Sequence, residues 1–75
     1  MTRDLVLTVI CDANPDIDAA GELANVMNLA SRPVMIDGDA ACEIFVPVDD
    51  DNEAATLAKV KAAFNTIGFK IIEDQ

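Results

Sequence analysis

Histidine, tryptophan and tyrosine are absent from this 75-residue chain, and basic residues are scarce: five Lys and Arg face fourteen Asp and Glu. Each shortage argues against a class of function. The only serine, Ser31, has no imidazole to activate it, and no base is evident for Cys11, so no nucleophile–base pair emerges. Paired carboxylates remain for acid–base work, but they fall in segments that read as exposed loops, and no phosphate-binding loop accompanies them. An enzyme is not expected, and neither is a cofactor. Base stacking needs exposed aromatics and phosphate binding needs clustered bases. Phe45, Phe64 and Phe69 with five scattered cations supply neither, which argues against direct nucleic-acid binding.

Cysteine is nearly as scarce. Cys11 and Cys42 lack CxxC spacing and have no histidine to join them at a metal; free buried thiols in a reducing cytosol are expected, with a disulfide as the alternative. The EF-hand pattern also fails, because its glutamate position falls on Val48 for a loop starting at Asp37 and on Leu23 for one starting at Asp12. No run approaches the roughly 18 apolar residues of a membrane span. The short apolar stretch near the N-terminus is flanked by Asp4 and Asp12 without a basic leader, so it reads as a strand and not a signal peptide. A cytoplasmic protein with no membrane partner is expected.

What the chain does have is apolar content and negative charge. A hydrophobic fraction of 52% argues against disorder, and the length suits a single domain, residues 1–75. The formal net charge of −9 works against folding by self-repulsion, and a basic partner is the simplest reason for carrying it.

The pattern along the chain predicts six elements. Residues 5–11, nearly all apolar, form a central strand. Asn14 as cap and Pro15 as first helical residue open a helix whose apolar stripe is Ile17, Ala20, Ala24 and Met27, with Leu23 beside them. Close packing of this helix on a sheet is the expected reason for Gly21, and the helix is expected to end near Ser31, ahead of Pro33. Residues 34–37 form a second strand, Gly38-Asp39 a turn, and residues 42–48 a third strand that weakens or bulges at Pro47. Alternation puts Ile44, Val46 and Val48 on one face and Glu43 and Phe45 on the other. Asp50 with Glu53 resembles a capping box, with Asn52 as a rival cap, for a second helix striped by Leu57, Val60, Phe64 and Ile67 and stopped by Gly68. Residues 69–73 form the last strand. The expected fold is α+β: a ferredoxin-like βαββαβ arrangement, with a four-stranded antiparallel sheet in the order 4-1-3-2 and both helices on one face.

That topology sorts the acids into two ends. With the first strand running upward, Asp12, Asp16, Asp18, Asp37 and Asp39 lie at the upper end. Asp4, Asp49, Asp50, Asp51, Glu53, Glu73 and Asp74 lie at the lower end with Arg3 and Arg32. The Asp49-Asp50-Asp51 run has three readings: a solvated loop with a cap, a contact surface for Arg and Lys of a partner, or a divalent-cation site. Duplex DNA carries roughly 18 phosphate charges over about 30 Å, so fourteen carboxylates make a partial, not complete, DNA mimic. Met35 and Phe45, with Ile72, are expected on the open sheet face as an ordinary apolar surface or an interface.

In size, acidity and compact α/β plan the whole chain resembles the small acidic anti-CRISPR proteins of phages. That resemblance implies a non-enzymatic inhibitor that imitates DNA and occupies the basic surface of a nucleic-acid-binding partner, such as a CRISPR surveillance complex in the host cytoplasm. A second resemblance is to ACT-type regulatory domains, which share the βαββαβ plan. Residues 21–26, GELANV, resemble the start of their first helix, and residues 67–70, IGFK, the entry to their last strand. It implies a small-molecule-binding regulator; here Pro15 and Gly21 stand six positions apart, where that family has an adjacent pair. The candidate contact residues are Asp12, Asp16, Asp18, Asp37, Asp39, Asp49, Asp50, Asp51 and Glu53, on a monomer or weak homodimer; a dimeric adaptor using the open sheet face is the third reading.

Overall fold

A computed structural model describes residues 2–73. The elements run β1 (Thr2–Cys11), α1 (Ile17–Val26), β2 (Ala30–Ile36), β3 (Asp39–Asp49), α2 (Glu53–Thr66) and β4 (Phe69–Glu73). They form an α+β structure in which all strand pairs are antiparallel and the sheet order is β2-β3-β1-β4, the expected order read from the other edge.

Strand alternation decides which face the helices cover. The β1–β3 register pairs Leu5 with Val46, Leu7 with Ile44 and Val9 with Cys42. Residues of this parity are in one buried cluster with Ala20 and Ala24 of α1 and Val60 and Phe64 of α2, so both helices lie on the same side. Phe64 and Phe69, both fully buried, are its largest members. The opposite parity, Val6, Thr8 and Ile10 paired with Phe45, Glu43 and Ala41, forms the face that carries no helix.

Several boundaries differ from the sequence expectation for local reasons. Asp16, not Asn14, caps α1, its carboxylate accepting from the Asp18 N–H at 3.2 Å. Asn14 is engaged elsewhere: its Oδ1 accepts from the Asp16 N–H at 2.9 Å and its Nδ2 donates to the Ile67 carbonyl at 3.0 Å. The helix ends at Val26, not near Ser31. Asn28 adopts φ 60°, its N–H donates to Asn25 O, and the Leu29 N–H donates to Ala24 O. This is a Schellman closure with asparagine in the position glycine usually holds. The freed residues extend β2 back to Ala30.

The hairpin turn is Asp37-Gly38, with φ 51° and 85° and Ile36 opposite Asp39, a two-residue type I′ connection. The turn thus sits one residue earlier than expected, and Asp39 begins β3. Pro33 lies in the edge strand, and Pro47 lies past the last β2–β3 pair, where β3 has a free side. The β1–β3 ladder runs on through Pro47 to Asp49 without the expected break. Gly21 has nothing within 4 Å of where a Cβ would stand, so close helix–sheet packing is not its reason.

Candidate partner-binding surface

The nine nominated acids fall at the two ends of the sheet. Asp12 follows the upper end of β1, Asp16 and Asp18 open α1, and Asp37 and Asp39 flank Gly38 beside them, since Ile10 pairs with Ala41. At the lower end Asp49 pairs with Thr2, and Asp50, Asp51 and Glu53 lead into α2. Nine steps of about 3.3 Å along β1 separate the ends by roughly 30 Å, against a longest dimension of 35 Å.

The two ends are built differently. At the lower end Arg3 reaches across the strands: one guanidinium nitrogen meets Asp50 Oδ1 at 2.6 Å and another meets Glu53 Oε1. Thr2 Oγ1 donates to the Asp49 carboxylate at 2.8 Å, and the Asp49 N–H donates to Asn52 Oδ1 at 2.8 Å. The expected capping box therefore does not form: Glu53 faces Arg3, and Asn52 holds the helix N-cap position without a side-chain capping bond. Arg3 is the residue that sequence reasoning left without a role. Its signal was its register, one residue from the pair that brings Thr2 to Asp49 and thus next to the acids that follow β3.

At the upper end Asp16 caps α1 and Asp18 lies in its first turn, where carboxylates meet the positive end of the helix dipole. Lys70 Nζ stands 4.0 Å from Asp12. Asp37 and Asp39 are exposed, and neither has a basic side chain within ion-pair distance among the described residues. Counting Asp4, each end holds five carboxylates against one cation, a net −4 apiece. Glu73 is not at the lower end; its register partner is Leu7, at mid-height. Asp74 lies outside the described residues.

The open face between the ends has its own polar centre. Arg32 is not at the lower end, since it pairs with Glu43, which itself faces Thr8 in the upper half of β1. Its Nε donates to Glu43 Oε1 at 2.6 Å, and its guanidinium carbon lies 6.0 Å from the Phe45 ring centroid. Met35 is exposed but shares the parity of Pro33 and Ser31, which oppose Cys42 and Ile44; it therefore lies on the helix side, away from Phe45. Above the ion pair a cleft of about 630 Å³ opens. Ile10 and Ala41, a cross-strand pair, lie beneath it, Ile36 and Ile72 of the two edge strands border it, Pro15, Asp37 and Asp39 stand on the rim, and Cys11 and Ala40 complete the lining.

Cys11 and Cys42 are free. Burial pushes the Cys42 thiol above its ordinary range, the Ser31 hydroxyl and the Arg32 backbone oppose the rise, and the Glu43 charge adds to it. A neutral, buried thiol is a poor nucleophile. Among the described residues no group of three or more Cys, Asp or Glu is arranged to hold a metal ion, and no helix is long and apolar enough to cross a membrane. No family model matches the chain, and neither does any curated protein or solved structure.

Proposed function

We propose that this chain is a non-enzymatic acidic binding protein that competes with nucleic acid for the basic surface of a nucleic-acid-binding partner. The observation that carries the reading is the pair of net −4 ends about 30 Å apart on one sheet. Two such clusters present carboxylates to Lys and Arg at a spacing of about one duplex turn. The field of a −9 domain also speeds encounter with a basic groove. The most specific form is an anti-CRISPR protein that blocks target DNA binding. The finer fold assignment that goes with it is the ferredoxin-like βαββαβ topology.

The test is displacement of labelled duplex from a defined panel of DNA-binding proteins, guide-loaded CRISPR complexes included, read by fluorescence anisotropy at low and high salt. Displacement that weakens with salt, and weakens again when Asp37→Lys with Asp39→Lys or Asp51→Lys reverses charge at one end, is the expected result. Asp51 is the better probe of the lower end than Asp50 or Glu53, because those two hold Arg3. No displacement from any member of the panel at low salt overturns the proposal.

A further inference from the structure

The upper end differs from the lower in one respect that charge counting misses: its acids border an apolar cleft. The cleft's volume, about 630 Å³, lies within the roughly 300–1,000 Å³ of ligand sites. Its floor is Ile10 and Ala41, and its walls are Ile36 and Ile72, two of the large apolar side chains that the fold leaves exposed. Water gains nothing from such a surface, and covering it is favourable at about 25 cal/mol per Å². A purely apolar occupant would nevertheless bury the hairpin carboxylates without a partner, which costs free energy. A purely ionic one would leave the isoleucines wet.

Charge complementarity therefore selects the occupant. We propose that the cleft is a docking site for an amphipathic basic segment of a protein partner, in which an Arg or Lys stands beside large aliphatic side chains. The aliphatic groups cover Ile10, Ile36 and Ile72, and the cation lies between Asp37 and Asp39. Long cationic side chains suit both parts, since their methylene stems are themselves apolar. The other charges nearby do not oppose this. Lys70 stands beside Asp12, and Arg32 is engaged by Glu43, so each offsets a carboxylate, whereas Asp37 and Asp39 remain uncompensated. This proposal rests on the reading of the protein as a binder of basic partners and narrows it to one end and one side-chain chemistry.

Two capped peptides separate the alternatives: one with two arginines flanked by leucines, and one with the leucines replaced by serines. Amide and methyl NMR of the labelled full chain reports the site. The expected result is that the leucine peptide binds at least about tenfold more tightly and shifts Ile10, Ile36, Ala41 and Ile72. Asp37→Asn with Asp39→Asn then weakens it severalfold, and Ile72→Gln does the same. Asn suits the positive φ of position 37, so the charge-neutralised variant keeps the turn. Equal binding of the two peptides, with shifts confined to acidic residues, overturns the cleft while leaving the wider reading intact. Binding of neither peptide, alongside displacement of duplex in the panel assay, does the same. Concentration-dependent shifts of the isoleucines without peptide make the face an interface between copies and also overturn the proposal.

Discussion

Three glycines offer a graded test of how the upper end is held together. Gly68 closes α2 at φ 92°, and a Cβ there would stand 2.8 Å from both the Cβ and the backbone nitrogen of Asn14. Asn14 cannot retreat freely. Its N–H and that of Asp12 both donate to the Gly68 carbonyl, at 3.0 and 3.1 Å, and its Nδ2 holds the Ile67 carbonyl. Gly68→Ala therefore adds left-handed backbone strain of about 1–2 kcal/mol to the loosening of hydrogen bonds contributing about 1 kcal/mol each. A total near 3 kcal/mol is a large part of the roughly 4–11 kcal/mol expected for a chain of this length. Gly38→Ala meets the same strain at φ 85° with open space around the new methyl, so it is expected to cost only about 1–2 kcal/mol. Gly21→Ala, in mid-helix with nothing within 4 Å, is expected to stabilise by roughly 0.5–1 kcal/mol. Urea unfolding followed by far-UV circular dichroism is the assay, since the chain has no Trp or Tyr to report by fluorescence. The midpoint should move while the slope stays constant. If Gly68→Ala costs no more than Gly38→Ala, the clamp between the loop after β1 and the end of α2 is not a stabilising contact. If Gly21→Ala destabilises, close packing at that position returns as its explanation.

Two further outcomes follow from burial and charge. The folded state keeps the Cys42 thiol protonated above the unfolded value of about 8.5, so the unfolded chain loses that proton first. Stability is then expected to fall as pH rises beyond that point, by up to about 1.4 kcal/mol per unit, until the folded thiol also ionises; Cys42→Ala should flatten this slope on the alkaline side of the ordinary thiol range, and an unchanged slope refutes the assignment. Added salt is expected to stabilise the fold, by screening repulsion within each net −4 end, while weakening any complex with a basic partner. Stability that falls with salt would mean that the Arg3 and Arg32 ion pairs outweigh that repulsion.

Much of the architecture is legible in the sequence because it rests on period. The alternation of Ile44, Val46 and Val48, and the helical stripe of Val60 and Phe64, identify the buried face without tertiary information. Errors arise where one side chain has a choice of partners. Asn14 is a sound cap by type, but the approach of Ile67 gives its amide a better use. Asp50 and Glu53 have capping-box spacing, yet Arg3, about fifty residues distant along the chain, takes both. Asn28 ends α1 because asparagine tolerates positive φ, a signal weaker in the sequence than the proline that follows it. The sorting of Asp12, Asp16, Asp18, Asp37, Asp39, Asp49, Asp50, Asp51 and Glu53 into two ends follows from topology alone. The cleft does not, because it depends on register: a shift of one residue would turn Ile10, Ile36 and Ile72 to the other face.

The topology also explains how the fold tolerates its charge. Helix α1 starts where β1 ends, at the upper end, and α2 starts where β3 ends, at the lower. Each acidic end therefore sits on a helix N-terminus, equivalent to about half a positive charge. Because the ends are roughly 30 Å apart, and screening acts over about 8 Å at physiological salt, they hardly repel one another. The cost of the net charge is thus paid within each end, where the dipole and one cation lower it, helped at the upper end by the Asp16 cap. None of these devices reaches Asp37 and Asp39, which lie on a hairpin tip rather than a helix start. A type I′ turn accepts Asn-Gly as readily as Asp-Gly, so turn geometry does not require a carboxylate at position 37. It requires none at position 39 either, which opens a strand and has no capping role. Charge that the fold has no use for, placed beside exposed isoleucines, is what distinguishes this end as the surface to test against a partner.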